Sequence, residues 1–196
     1  MNLAELCAEV YTITGRPDRV AETLSAVKSA TLKAHQSDYY YKDLFETGLD
    51  FGFAAFVQSF AYRDILPFWR ALKYLRKYDS VTNTPGKLIT LLPPENVLDD
   101  YATQKSDICY VAGSYIQINC SVEQQYFLLG CYQNPNITEA GYNSWVALDH
   151  PYCIVFDAAA TVFKAIGKDE EAAAYRTLVA EQLAMLRTSN IIANGF

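Results

Sequence analysis

Few side chains in this 196-residue chain have types and spacings that do chemistry. There are two imidazoles, His35 and His150, and they fall in separate segments. Cys153 stands three residues past His150, and an imidazole beside a thiol can raise a thiolate nucleophile, but such a dyad needs a third group to orient it. At a helix start the same spacing suits a capping or first-turn role. The five cysteines, Cys7, Cys109, Cys120, Cys131 and Cys153, include no Cys-x-x-Cys, and two histidines add too little for a zinc set, so no metal and no cofactor are expected. Gly-x-Ser-x-Gly, Walker and dinucleotide fingerprints are absent. Asp99, Asp100, Asp107 and Glu123 could line a groove, and glycoside hydrolysis needs only two carboxylates at the right separation. In an acidic chain such residues more often form a solvated face, and the expectation is that the protein is not an enzyme.

One charge pattern rises above background. Between Arg63 and Lys87 six cations meet only Asp64 and Asp79, a local surplus of four positive charges. Within it Arg70, Lys73, Arg76 and Lys77 read as a basic strand, either the wet face of a sheet or a contact surface for an acidic partner or passing DNA. Of the 15 tyrosines, 13 lie between Tyr39 and Tyr152. Tyrosine suits interfaces because its ring packs while its hydroxyl finds a partner, and sheet propensity accounts for part of the enrichment.

These residues must be positioned by three zones of different period. Leu3, Leu6, Cys7 and Val10 repeat as one face of a helix that Gly15 can stop near Thr14. Pro17 in a first turn and the row Val20, Leu24, Val27 and Thr31 predict a second helix. Tyr39 to Gly48 is ambiguous. From about Asp50 the pattern turns to strands: an imperfect alternation to Ala61, Phe68 to Tyr78, a return strand Leu88 to Leu92, a hairpin Ile108 to Asn119 around Gly113-Ser114, and Gln125 to Gln133. The hairpin register pairs Ala112 with Tyr115, Val111 with Ile116 and Cys109 with Ile118, which puts Cys109, Val111, Ile116, Ile118 and Cys120 on the core face. After Thr138 the helical period returns: Tyr152, Val155, Phe156, Ala159, Val162, Phe163 and Ile166, then a last helix from Asp169 with Ala172, Tyr175, Leu178, Val179, Leu183 and Leu186 inward.

The expected fold is α+β: a helical bundle formed by the N- and C-terminal helices, residues 1–49 and 138–188, with an inserted antiparallel β-sandwich or small barrel of about six strands over 50–137. Residues 189–196 read as an extended tail. The formal charge of −6 argues against a general grip on nucleic acid, which needs clustered Lys and Arg. The first ten residues hold Glu5 and Glu9 and no cationic leader, so no signal peptide is expected. No uncharged apolar run approaches the roughly 20 residues of a membrane span, and widely spaced thiols suit a reducing compartment.

Several of these residues resemble the head-to-tail adaptor proteins of tailed bacteriophages, also called head-completion or connector proteins. The likeness runs through Thr14-Gly15-Arg16-Pro17-Asp18, Tyr41-Lys42-Asp43-Leu44, Leu66-Pro67, Arg76-Lys77-Tyr78-Asp79, Tyr110-Val111-Ala112-Gly113 and Cys131-Tyr132-Gln133-Asn134-Pro135. It is strongest in Ser144-Trp145, Pro151, Ala158-Ala159-Ala160, Phe163, Ile166-Gly167, Glu170-Glu171-Ala172 and Tyr175. Phe68-Trp69 departs from the more basic strand entry expected in the family.

The resemblance implies a virion protein of the neck, assembled in the host cytoplasm, that forms a homo-oligomeric ring, typically of twelve copies. Such a ring binds beneath the portal, offers a platform to tail or nozzle proteins, and lets genomic DNA pass through its lumen without specific binding. A net acidic wall fits that role, since it repels the DNA backbone over a Debye length of about 8 Å. The C-terminal segment of such proteins commonly reaches the portal, which assigns Asn190, Ile191, Ile192 and Phe196 as a docking tail. A tail-side ring component (tail terminator or nozzle) and a carbohydrate-binding module with Tyr110 and Tyr115 as stacking residues are the alternatives.

Overall fold

The computed structural model describes residues 1–79, 82, 84–98, 101 and 103–194, with side chains through Asn190. The chain is mixed α+β and divides into two units, one of residues 1–43 and 134–196, the other of 44–133. Both cuts fall slightly before the expected 49/50 and 137/138.

The first unit is helical. α1 (Leu3–Thr14) opens on a capping box in which Asn2 and Glu5 bond each other's backbone N–H, and closes on Gly15 at φ 64°, the left-handed stop that its sequence predicts. α2 (Val20–Gln36) begins after Pro17 instead of around it, which leaves Val20 exposed while Val27, Thr31 and His35 are buried. α4 (Trp145–Asp149) carries Ser144 as its N-cap, and α5 (Pro151–Ala165) has Pro151 in its first turn and Gly167 just past its end. α5 buries Cys153, Ile154, Val155, Ala158, Ala159, Ala160, Val162 and Phe163, more than one stripe, because α1, α2 and the last helix all pack against it. α6 (Asp169–Asn194) places three acids in its first turn, where the helix dipole favours them. These helices share one core that includes Leu6, Val10, Val27, Tyr40, Ile154, Phe163 and Leu186.

α6 corrects one expectation, since it continues to Asn194 where an extended tail was expected from Ser189. No Gly or Pro falls between Asp169 and Asn194, and the step from Leu186 to Asn190, both buried, keeps the helical period. The paired β-branched Ile191 and Ile192 cost a helix only tenths of a kcal/mol each, roughly.

The second unit holds β1 (Leu44–Ala61), the short α3 (Tyr62–Ile65), β2 (Trp69–Asp79), β3 (Thr84–Leu91), β4 (Ile108–Ala112) and β5 (Tyr115–Gln133). The sheet order is β1-β5-β2-β3-β4, and β4 returns to pair with β5, so four strands close a circuit and β1 lies outside it. Among the described residues five strands appear where about six were expected, because Tyr115 to Asn119 and Gln125 to Gln133 are parts of one long β5. The β3–β4 pair is parallel, unlike the antiparallel set expected, since the segment between them carries the chain back to the starting end. The predicted hairpin register is observed, with Ala112 opposite Tyr115, Val111 opposite Ile116 and Cys109 opposite Ile118.

Two opposed bulges bend the long β1–β5 ribbon. Between the pairs Asp50↔Tyr126 and Ala55↔Gln124, β1 has four residues against one; between Ala55↔Gln124 and Val57↔Asn119, β5 has four against one. Gly52 turns the first bulge at φ 75°. Each strand thereby forms two legs, and Phe51 from one leg of β1 meets Phe60 from the other at 5.9 Å between ring centroids. The core beneath holds Leu49, Phe60, Leu75, Ile89, Cys109, Ile116, Ile118, Phe127, Leu129 and Cys131 and shares no residue with the helical one.

Candidate functional site

The four residues of the basic strand do not form one open cationic rail. Lys77 turns toward Asp107, with Nζ 2.7 Å from Oδ1, while Lys87 Nζ reaches Oδ2 at 2.9 Å. Ser121 adds its N–H at 3.0 Å and its hydroxyl at 2.9 Å. Burial alone would raise the Asp107 pKa, but the bonds from Lys77, Ser121 and Lys87 outweigh it and hold this carboxyl well below the usual carboxylate range. Asp107 also sits at φ 56°, a left-handed conformation that Asp tolerates better than most residues. The cluster joins β2, β3 and β5 just before β4 begins.

Lys73 and Arg76 lie over aromatic rings instead. Lys73 Nζ is 5.8 Å from the centroid of Tyr132, and Arg76 Cζ is 5.7 Å from that of Tyr74. The Tyr74 ring packs against Gly130, where an added Cβ would overlap its ring carbons. Its hydroxyl donates to Glu46, and that bond, with burial behind it, pushes the phenol up to about 12. Arg70 is half-buried.

At the distal end of α6, Asn190 is buried and its Oδ1 accepts the Tyr41 N–H at 3.2 Å, while Arg187 donates to the Ser37 carbonyl at 3.0 Å. Asn190 therefore serves the helical core. Of the docking tail, Phe196 and the side chains of Ile191 and Ile192 lie outside the described residues, as do Asp99 and Asp100 among the acids. Glu123 is exposed on the β5 bulge. Asp107, ionised between two lysines, has no proton to offer as a general acid near neutral pH.

The structure also brings together a constellation that sequence reasoning missed. His35 Nδ1 lies 2.7 Å from Asp43 Oδ1, and His35 Nε2 lies 2.9 Å from Ser144 Oγ. Trp145 Nε1–H donates to the same Asp43 oxygen at 2.7 Å, and Ala147 N–H donates to Ser144 Oγ at 3.1 Å. The roles close when the imidazole carries its proton on Nδ1 and accepts the serine proton on Nε2, the order of donors found in a Ser-His-Asp hydrolase. A hydrolytic serine must also face a substrate carbonyl and N–H donors for the oxyanion. Ser144 is only 4% exposed, and the Ala147 N–H beside it is already spent on Ser144 Oγ, which caps α4. The cluster instead ties α2, the turn before β1 and the start of α4 into one buried network. The signal that could have found it is position: His35 continues the buried row of Val27 and Thr31, and an imidazole on such a row requires polar partners.

His150 and Cys153 meet through the backbone, with Cys153 N–H donating to the His150 carbonyl at 3.1 Å. Burial pushes the Cys153 thiol up to about 11, away from thiolate chemistry. All five cysteines are buried and unbridged; Cys109 and Cys131 are likewise pushed up by burial, to about 12 and about 11. Among the described residues no group of three or more His, Cys, Asp or Glu is arranged to hold a metal ion, and no helix is long and apolar enough to cross a membrane. The sequence matches no family model and no curated protein.

Proposed function

We propose that this chain is a structural head-to-tail adaptor of a tailed-phage virion, without catalytic activity. In this reading a helical bundle built from both ends of the chain carries an inserted small barrel. Copies assemble into a ring, typically of twelve, beneath the portal in the neck, with DNA passing through and tail or nozzle proteins bound below. The observation that carries the reading is the division into two separately cored units, one made by both chain ends and one by the middle. A protein joining two unlike partners needs two such independently built surfaces. The order of residues shared with the adaptor family and the acidic balance of the chain support the same reading.

Mixing the purified protein with portal tests it. The expected result is comigration on size exclusion without tail proteins, and a twelve-fold ring in electron micrographs of the mixture. Failure to comigrate counts against the adaptor and leaves the tail-side ring as the reading to pursue. Deleting residues from Ile191 onward is expected to abolish portal binding while thermal stability stays nearly constant, because Asn190 and its bond to Tyr41 remain.

A further inference from the structure

We propose that the outer edge of β1 over Leu44 to Asp50 accepts an extended, lysine- or arginine-bearing segment of another protein as an added antiparallel strand. The inference does not depend on the adaptor reading. With β5, β2, β3 and β4 closed into a circuit, β1 pairs among the described residues on one side only, with β5. An unpaired edge presents a row of backbone donors and acceptors, the template for strand addition. Along it Leu44, Phe45, Glu46, Gly48 and Asp50 are exposed.

Two features select the occupant. Phe45, Thr47 and Leu49 stand opposite the core residues Cys131, Leu129 and Phe127, so Glu46, Gly48 and Asp50 line the other face. The two carboxylates are four residues apart on that face and bond neutral groups, the Tyr74 hydroxyl for Glu46, the Gln125 amide and Gly52 N–H for Asp50. Among the described residues neither has a cationic partner. Beside this edge an open groove runs between the two legs of β1, with Leu49, Phe51, Phe60 and Ile65 as its apolar lining and Asp50 at its polar side. An added strand with cations facing Glu46 and Asp50 places its alternate, apolar side chains toward that groove.

Three of the self-pairing registers work against a second copy. Pairing β1 with itself about a two-fold axis centred on Gly48, Glu46 or Asp50 sets carboxylate against carboxylate, which destabilises directly opposed pairs.

The test uses the full chain, isotopically labelled, with two end-blocked heptapeptides, Val-Lys-Val-Thr-Val-Lys-Val and Val-Glu-Val-Thr-Val-Glu-Val. The lysine peptide is expected to slow amide exchange between Phe45 and Asp50 and to bind at least ten-fold more tightly than the glutamate peptide. In a variant carrying Glu46→Lys and Asp50→Lys the preference is expected to invert. The wild-type comparison of the two peptides stands by itself if the double variant fails to fold. Equal binding of both peptides, or of neither, overturns the proposal. So does protection of the same amides that rises with protein concentration in the absence of peptide, since that outcome assigns the edge to a second copy.

Discussion

The two units are each tied by a polar cluster, and the clusters are built differently. The His35–Asp43–Ser144–Trp145 network lies inside the helical unit, with His35, Asp43 and Ser144 all buried and each bonded through donors of fixed geometry. The Asp107 cluster sits nearer the surface: the side chains of Asp107 and Lys77 are 12% and 13% exposed, and that of Lys87 is 71% exposed. A buried network gains little from each bond against water but costs heavily when one member is removed. A half-screened ion cluster loses less, and its loss depends on pH and salt. The helical unit is thus held by geometry and the strand unit by charge.

Removing His35 gives the largest expected effect. His35→Ala leaves Asp43 and Ser144 buried without their shared partner, a loss of about 3 kcal/mol. Each unit contains one tryptophan, Trp145 in the helical and Trp69 in the strand unit, so urea unfolding followed by fluorescence of single-tryptophan variants reads the two separately. Only the Trp145 transition is expected to move.

Asp107→Asn is next, at about 2 kcal/mol, carried mainly by Lys77, since the exposed Lys87 pair contributes little. Its pH signature has a fixed sign. The folded pKa lies below the unfolded value of about 3.9, so the stabilisation is fully present above that value and disappears as pH falls toward the folded one. Acid unfolding of the wild-type strand unit should steepen below about pH 4, and Asp107→Asn should flatten that limb. An unchanged limb would place the strand unit's acid sensitivity elsewhere.

Thiol kinetics sharpen the contrast without a calorimeter. Cys7 and Cys153 lie in the helical core, and Cys109, Cys120 and Cys131 in the strand core. A disulfide reagent on the native protein is expected to modify two thiols and three thiols in separate phases. His35→Ala should accelerate only the first group and Asp107→Asn only the second; a single phase of five would mean that the units open together. The smallest effect is spectroscopic. In a phenolate titration Tyr74 should ionise near 12, and Glu46→Gln should lower it, because the bond to Glu46 is the main cause of the shift.

The sequence is most legible where short-range rules decide. Gly15, Pro151 and Gly167 mark helix ends, and alternation around Gly113-Ser114 fixes the hairpin register, because caps and turns are settled by a few adjacent residues. What was not legible depends on distant partners. Neither the continuity of β5 through its bulge nor the parallel β3–β4 pair has a local signature, since pairing with β1 and β4 decides both. In the sequence Lys77 is indistinguishable from Lys73, because the partner that sets its role, Asp107, lies 30 residues on. Residues 35, 43 and 144 meet only after the intervening strand unit has been looped out. The helical continuation past Ser189 is legible in the absence of any Gly or Pro before Asn194, whereas Ile191 and Ile192 suit a docking tail equally well.

The insertion of one unit inside the other also orders events in time. As the chain leaves the ribosome, α1 and α2 emerge first, yet the helix they both pack against, α5, follows more than a hundred residues later. The described strands β1 to β5 are complete once Gln133 has been made, before any of α4, α5 or α6 exists. The middle of the protein can therefore fold while its beginning waits. The apolar faces of α1 and α2 are in the meantime uncovered, the interval in which this chain is most open to capture by a chaperone or by another nascent copy of itself.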